Sequence, residues 1–525
     1  MRKYGKLLAM AGIAAVLMSG VGCGSQKKKA DNYYSKSGPE YYAPRMINAE
    51  DAGAADLAYA KPTDENSAQA NTDEYNVIKE NSFMQVSVSP LSTFALDVDT
   101  ASYTQFRDMR RRGISVENIP SGAIRTEEFL NYFDYDKEPT YSDGKFTVHS
   151  EIHPCPWNEE HGLLYLRVTA NPVETGNKGN NFVFLIDTSG SMGSQKKITL
   201  AIEGFSLLTE QLTAKDKVSI VTYAGSADTL LEGCSGADHD KINRVLRSIS
   251  TNGGTNGSGG IEAAYTCAVK NFIEGGNNRV ILASDGDMNL GITSESGLVD
   301  LITEKKKLGV FLTTLGFGSG NYSDSNMEGL ADAGNGNYFF IDSTVEAKRV
   351  LVDKMMQTTV TVAKDVKLQA EFNPEFVSEY RLLGYENRAL AAKDFEDDTK
   401  DGGEVGAGAC VSVLYELVYA AEGGEEPSLK YQTVQSKGNT AEILNVAIRY
   451  KEPDGETSAR EDYPVEPKEE ACSEDWYFAA GIAEITGLLH KSTYFPGVTF
   501  TSAKELIQQG SKKDSLRLEL LELLP

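Results

Sequence analysis

The chain has 525 residues, of which 40% are hydrophobic, so it is long enough for two or three domains with cores of their own. Its formal net charge of −25 excludes a broad nucleic-acid-binding surface, which needs clustered Lys and Arg, and argues against charge-driven binding to an anionic membrane. The six cysteines have no C-x-x-C spacing, which argues against a disulfide framework or a thiolate zinc site.

The N-terminus has the pattern of an export signal. A positively charged start precedes the apolar run 7–18, which is too short to span a membrane comfortably, and small residues lead from there to Cys23. This end resembles a bacterial lipobox. The resemblance implies a signal peptide at 1–23, a diacylated Cys23 at the mature N-terminus, and a protein anchored by lipid at the cell envelope, facing outside the cytoplasm. Gly20 stands where that pattern usually has Leu, so ordinary cleavage and a free secreted protein stay open.

The next two segments lead into the folded body. Residues 24–74 show no periodicity, which predicts a disordered linker. Residues 75–175 are predicted to form an α+β flanking region. Thr126 stands at the position expected for a helix N-cap. The predicted elements of the flanking region are a strand within 91–98, helices at 104–112 and 126–133, and strands at 145–152 and 163–170.

Strands and helices alternate from 180 to 357, which predicts an α/β fold with a doubly wound, mostly parallel sheet. The continuous apolar run 182–186 is typical of a central strand, because both faces of a parallel sheet are buried. The other predicted strands are 217–223, 228–232 (antiparallel), 279–283, 310–317 and 337–341. The predicted helices are 197–212, 238–248, 259–272, 296–308, 325–332 and 344–357.

The pattern changes after residue 357. Residues 358–470 read as a β-rich, sandwich-like domain, and 471–525 as a C-terminal helical segment. The predicted strands are 358–370, 379–383, 408–418 and 442–450, and the predicted helices are 475–489 and 503–524. Because strands also precede the α/β domain, we hypothesise one β-sandwich interrupted by that domain. Two separate units are the alternative, and pairing of the 145–170 strands with those after 358 discriminates between them.

Polar side chains gather where the predicted parallel strands end. Asp187, Ser189 and Ser191 follow the strand 182–186, Thr255 lies in a Gly-rich loop before a helix, and Asp285 follows the strand 279–283. The carboxyl ends of parallel strands meet at one edge of such a sheet, so the three loops can open on the same edge. Two carboxylates and three hydroxyls are hard oxygen ligands, which suit Mg²⁺, Mn²⁺ or Ca²⁺ rather than zinc.

These motifs resemble a von Willebrand factor type A domain with its metal-ion-dependent adhesion site. The resemblance implies that the hydroxyls of Ser189, Ser191 and Thr255 ligate the metal directly or through water, and that Asp187 and Asp285 often act through water. It also implies an open coordination position that accepts a carboxylate from a partner protein. The flanking segments STFALDVDTASY and RTEEFLNYFDYD, with the C-terminal β region, resemble a bacterial lipoprotein subfamily of such proteins, so the resemblance covers about residues 82–524.

Two functions from different classes remain open at this point. The first is a non-enzymatic protein-binding module at the cell surface that depends on a divalent metal. The second is a structural or assembly lipoprotein with a vestigial metal site, whose β-rich and N-terminal parts make the contacts. Purely structural roles are also open for the five residues, since Ser189 and Ser191 could cap a helix, Thr255 could be a loop residue and Asp285 could form a turn. Binding that is lost in EDTA, and lost in Asp187→Ala while the fold survives, would distinguish the first from the second.

An enzyme is the third hypothesis. The strand ending in Asp97-Val-Asp99 resembles the nucleophile loop of haloacid-dehalogenase-type phosphatases, but Ala101 departs from that pattern and no βαβ unit follows. A turn formed by two carboxylates is the preferred interpretation. The chain has no nucleotide-binding G-x-x-x-x-G-K-[ST] motif, no H-E-x-x-H and no G-x-S-x-G. The neighbouring histidines are assigned packing or surface roles rather than a metal site: His149, His153 and His161.

Overall fold

A computed structural model describes residues 73–135, 143–172, 178–355, 361–400, 402–421, 441–453, 455, 457–468, 470–511 and 514–525. The predicted signal peptide, Cys23 and the predicted linker up to residue 72 lie outside this range. In the part of the chain that the structure describes, no helix has the length and apolar character needed to cross a membrane.

The described chain alternates between β-rich and α/β segments. The strands are β1 (Met84–Gln85), β2 (Leu91–Ala95), β3 (Phe146–Cys155), β4 (Asn158–Ala170), β5 (Asn180–Asp187), β6 (Lys217–Tyr223), β7 (Ala227–Ser235), β8 (Asn277–Ser284), β9 (Phe311–Phe317), β10 (Tyr338–Ile341), β11 (Thr361–Phe372), β12 (Val377–Leu383), β13 (Gly403–Gly406), β14 (Cys410–Tyr419), β15 (Leu444–Lys451) and β16 (Ser458–Val465). The α-helices are α1 (Ala101–Arg111), α2 (Thr126–Asn131), α3 (Leu200–Thr209), α4 (His239–Arg247), α5 (Gly257–Lys270), α6 (Glu295–Lys305), α7 (Asp324–Ala333), α8 (Thr344–Lys348), α9 (Glu474–His490), α10 (Phe500–Gln509) and α11 (Ser515–Leu523).

A six-stranded sheet forms the centre of the α/β domain, in the order β10-β9-β8-β5-β6-β7. All its pairs are parallel except β6 with β7, which is antiparallel. Every residue of β5 is buried, because helices cover both faces of the sheet and β5 lies between β6 and β8. The predicted doubly wound α/β fold is confirmed, including its antiparallel strand.

Two antiparallel sheets stand beside the α/β domain. One has the order β1-β12-β14-β4-β3; the other has β13-β11-β15-β16, with β2 also paired to β11. Strand β4 pairs with β14 continuously from Thr169 opposite Cys410 to His161 opposite Val418. The strands before the α/β domain therefore pair with those after it, which favours one β-sandwich interrupted by the α/β domain over two separate units.

Strand β4, which lies between β14 and β3, contributes side chains to two cores on opposite faces of its sheet. Because successive side chains of a strand point to opposite faces, Leu164 and Leu166 pack toward the second sheet, while Leu163 and Tyr165 pack toward the helices. The helical core joins α1 and α2 to the C-terminal helix α9 through aromatic side chains, which include Phe106, Phe129, Phe133 and Phe478. The flanking segments and the C-terminal helices are therefore packed into one unit.

Several local predictions differ from the structure. Arg125, not Thr126, precedes α2, and the hydroxyl of Thr126 instead donates to Thr486 Oγ1 on α9. The predicted tail helix 503–524 is two helices. The first ends at Gln509, and Asp514 caps the second by accepting hydrogen bonds from the amides of Leu516 and Arg517. The predicted helix 344–357 continues beyond α8 as a wider π-helical turn, Arg349–Lys354. Strands β13 and β16 were not predicted from the sequence.

Candidate functional site

The loop after β5 carries three of the five predicted ligands. Asp187 and Ser189 are buried, and Ser191 is partly exposed. The amide of Ser189 donates to Asp187 Oδ1 at 2.9 Å, which turns the chain sharply at the end of the strand. The hydroxyl oxygens of Ser189 and Ser191 lie 2.9 Å apart, so both point to the same side of the loop.

The Gly-rich loop before α5 lies against this first loop. The amide of Gly190 donates to the carbonyl of Gly253, and the amide of Asn252 donates to the carbonyl of Thr188. Gly253 has φ +81, a left-handed conformation that favours glycine. Thr255 follows two residues later and is only 1% exposed. These backbone bonds hold the loop that carries Thr255 beside the loop that carries the two serines.

The third loop joins the site through Ser284. Asp285 directly follows β8 and is fully buried. The hydroxyl of Ser284, its neighbour, donates to Asp187 Oδ2 at 2.8 Å, and Tyr223 also donates to that oxygen at 3.3 Å. Burial, and then the charge of Asp285, raise the pKa of Asp187 to about 6, although hydrogen bonds from Ser189 and Ser284 oppose the shift. The two carboxylates are therefore close enough to repel each other.

The structure adds two residues that sequence reasoning missed. Lys197 donates from Nζ to Asp285 Oδ2 at 2.9 Å and to Asn321 Oδ1 at 2.7 Å. The amide of Asn321 in turn donates to Asp285 Oδ2 at 3.2 Å. Lys197 is only 5% exposed. A lysine near the start of a predicted helix reads as a solvated side chain, so the local sequence carried no signal for this contact.

The donor set fits a hard divalent cation. Neighbouring ligands of an octahedral Mg²⁺ at about 2.1 Å lie about 3 Å apart, which the serine hydroxyl oxygens match at 2.9 Å. Two buried carboxylates and one buried lysine leave the site with excess negative charge, which a cation would offset. Ser189, Ser191 and Thr255 are the residues that would hold the ion, with Asp187 and Asp285 supplying charge behind them.

The rival phosphatase motif lies in a different environment. Asp97 and Asp99 are 4% and 1% exposed, and Nη2 of Arg388 lies 3.4 Å from Asp97 Oδ1 and 3.3 Å from Asp99 Oδ2. The amide of Tyr338 on β10 also donates to Asp99 Oδ1 at 2.9 Å. The two carboxylates, with Glu128, form a compact acidic group buried where the flanking region meets the α/β domain. This placement favours the interpretation of Asp97 and Asp99 as turn-forming, docking residues.

The three neighbouring histidines each contact a glutamate. His149 and His153 both lie near Glu151, with Nε2–Oε distances of 2.9 and 3.5 Å, and His161 Nδ1 lies 2.7 Å from Glu416 Oε1. His153 also stacks edge-on against Trp476. These contacts agree with packing roles.

Three family descriptions match successive parts of the chain. Residues 69–165 match "von Willebrand factor", residues 181–354 match the von Willebrand factor type A domain, and residues 357–525 match "Uncharacterized protein YfbK, C-terminal". The middle match contains the six-stranded sheet and all five predicted metal-site residues.

Individual proteins resemble longer stretches. "Uncharacterized protein YfbK" of Escherichia coli (strain K12) is 37% identical over 470 residues, which cover 87% of this chain and 81% of that protein. "Uncharacterized protein Rv2850c" of Mycobacterium tuberculosis (strain ATCC 25618 / H37Rv) is 29% identical over 123 residues, 23% of this chain and 19% of that protein. Among solved structures, a von Willebrand factor type A protein from Catenulispora acidiphila is 16% identical with a TM-score of 0.42, covering 74% of this chain and 91% of that chain.

Proposed function

The chain belongs to the family of YfbK, with a von Willebrand factor type A domain at its centre, and we propose that it is a non-enzymatic protein that binds a partner protein through a divalent cation. Domains of this type mediate protein interactions. The observation that carries the proposal is the hydrogen-bonded meeting of three loops at one edge of the sheet. The first loop carries Asp187, Ser189 and Ser191, the second carries Thr255, and the third carries Asp285, so this arrangement supports a common site for the five side chains.

The chemistry of the site explains why a carboxylate of the partner would be recognised. Hydroxyl ligands are neutral, so a Mg²⁺, Mn²⁺ or Ca²⁺ ion held by them keeps most of its positive charge and binds an anionic oxygen well. Ser191 is partly exposed, whereas Asp187 and Asp285 are buried. Solvent therefore reaches the site beside Ser191, and an Asp or Glu of a partner protein would approach the ion from that side.

We also propose where the protein works. The first 23 residues have the pattern of a lipoprotein signal, with Cys23 as the lipidated residue and the predicted linker 24–74 as a spacer. A protein anchored in this way would display its binding edge outside the cytoplasm. Labelling of growing cells with an alkyne fatty acid tests this part: wild type should be labelled and Cys23→Ser should not. If wild type is not labelled either, the protein is secreted without a lipid anchor.

The binding proposal is tested with purified protein and with extracts of the cell surface. Wild type should bind Mn²⁺ in calorimetry and capture a partner in Mg²⁺ but not in EDTA. Asp187→Ala should lose both properties while keeping its circular dichroism spectrum. Asp300→Ala is the matched control, because Asp300 is an exposed acid on α6 of the same domain. Capture that survives both EDTA and Asp187→Ala would instead support the structural or assembly lipoprotein.

A further inference from the structure

Lys197 is a buried cation at the edge of the sheet that carries the predicted metal-site residues. It lies in a π-helical turn, Gln195–Thr199, which directly precedes α3 and follows the serine loop. Such wide turns are frequent at functional sites. Its ammonium group donates to Asp285 and Asn321, two residues on different loops. A lysine is almost never this buried without a partner, so its position reflects the charge of Asp285.

The surrounding chain is shaped to admit this side chain. A Cβ added to Gly318 would lie 2.2 Å from Lys197 Cε, and Gly318 has φ +80, so only glycine leaves room there. Asn321 is held on both sides, because the amides of Gly320 and Tyr322 donate to Asp73 Oδ1. The space for the lysine is therefore formed by Gly318 and by the loop around Asn321, which Asp73 holds in place.

The charge balance gives this arrangement a consequence. Asp187 and Asp285 carry two negative charges, and Lys197 neutralises one of them. We propose that Lys197 is a built-in cation of the site, which holds Asp285 in place when no metal ion is bound and lowers the affinity of the site for divalent cations. This inference rests on the proposed metal-dependent function and assigns its regulation to one residue.

Coulomb's law sets the direction of the effect. The ammonium group touches the same carboxylate that would balance a divalent ion, so the two positive charges repel each other. Even at the dielectric constant of water, such repulsion across a few ångströms raises a dissociation constant by about tenfold. A lysine with a purely structural role has the opposite signature, since removing it would misplace Asp285 and weaken metal binding.

The test replaces Lys197 with a neutral side chain of similar length. Lys197→Met should bind Mn²⁺ about ten- to a hundredfold more tightly than wild type in calorimetry at pH 7.5. In EDTA its Tm should lie several degrees below wild type, because Asp285 loses its counter-ion, and saturating Mn²⁺ should narrow that gap. Lys196→Met is the matched control: Lys196 is exposed, and the variant has the same change of net charge.

The outcomes separate this inference from the proposed function. The inference is supported if Lys197→Met binds Mn²⁺ more tightly than wild type while Lys196→Met binds it as wild type does. This also holds if the affinity of wild type is too weak to measure. If wild type binds Mn²⁺ and Lys197→Met binds it equally or more weakly, the inference about Lys197 is wrong and the proposed function stands. If neither protein binds Mn²⁺, both the metal-dependent function and the role of Lys197 are wrong.

Discussion

Arg107 on α1 and Asp342, which directly follows β10, form a buried bidentate ion pair, with Nε–Oδ2 and Nη2–Oδ1 distances of 2.6 and 2.7 Å. The same guanidinium group donates to Glu346 on α8 and to the hydroxyl of Tyr132. The pair joins the flanking region to the α/β domain, and both side chains are at most 5% exposed. A planar guanidinium is suited to this geometry, since it offers two parallel donors to one carboxylate.

Removing this guanidinium should strongly destabilise the protein. Arg107→Met would leave the buried carboxylates of Asp342 and Glu346 with only the longer ion pairs to Arg111 and Arg349, at a cost of about 3–5 kcal/mol in the free energy of unfolding. Arg107→Lys should recover only part of this lost free energy, because an ammonium group cannot make the bidentate contact. Urea denaturation measures both. Arg112→Ala removes a partly exposed ion pair with Asp108, four residues earlier in the chain, and should cost no more than about 1 kcal/mol.

Ser284 should act on metal affinity without being a ligand. Its hydroxyl donates to Asp187 Oδ2 and accepts from the amide of Gly286, so it orients the first carboxylate of the site. Ser284→Ala should weaken Mn²⁺ binding about tenfold, the usual effect of removing a residue that orients a site's acidic groups. Calorimetry measures the change. Ser248→Ala, at an exposed serine, should leave it unchanged, and an equal affinity in Ser284→Ala would contradict the assignment.

Glu127 should make the stability depend on pH. Burial, and then the charge of Glu386, raise its pKa to about 8. A raised carboxyl pKa means that the folded state binds more protons than the unfolded state between pH 4.5 and about 8, so stability falls as pH rises through that window. Glu127→Gln should remove this loss and be more stable than wild type at pH 8 by on the order of 3 kcal/mol.

The control for this pH effect is Glu262→Gln, at an exposed position of α5. Urea denaturation at pH 5 and pH 8 should show the two variants and wild type close together at pH 5, and only Glu127→Gln separated at pH 8. Parallel stability curves for wild type and Glu127→Gln would show that the carboxyl titrates normally in the folded protein. Other buried acids also contribute to the fall in wild type, since burial raises the pKa values of Glu128 and Glu484 to about 7.

The interrupted sandwich predicts how fragments of the chain behave. A fragment of residues 361–525 lacks β4, so β14 has an open edge, and the two cores on either face of the sheet lose the apolar side chains that β4 supplies to them. We expect it to give a poorly dispersed NMR spectrum alone and to fold when co-expressed with residues 73–172. Residues 178–355 contain the whole six-stranded sheet and serve as the self-sufficient control. A well-dispersed spectrum of 361–525 alone would contradict this architecture.

Part of the fold could be read from local patterns. The run 182–186 became the central strand β5, and the polar residues that follow it lie at the predicted edge of the sheet. Apolar side chains recur on the buried face of each helix or strand, so the period of the apolar pattern indicates which of the two forms. The end of a helix at Gln509 was not predicted, because the apolar pattern continues on both sides of residues 510–514 and only the cap at Asp514 marks the start of the next helix.

The sequence by itself determined the chemistry of the site: the spacing of Asp187, Ser189 and Ser191 places a carboxylate and two hydroxyls on one turn. Only the tertiary structure decided which distant groups meet. Thr169 and Cys410 are 241 positions apart, yet they are partners in neighbouring strands, and Lys197 finds its counter-ion on another loop. Local preference follows from neighbouring residues, whereas the pairing of an open strand edge or a buried charge depends on the packing of the whole chain.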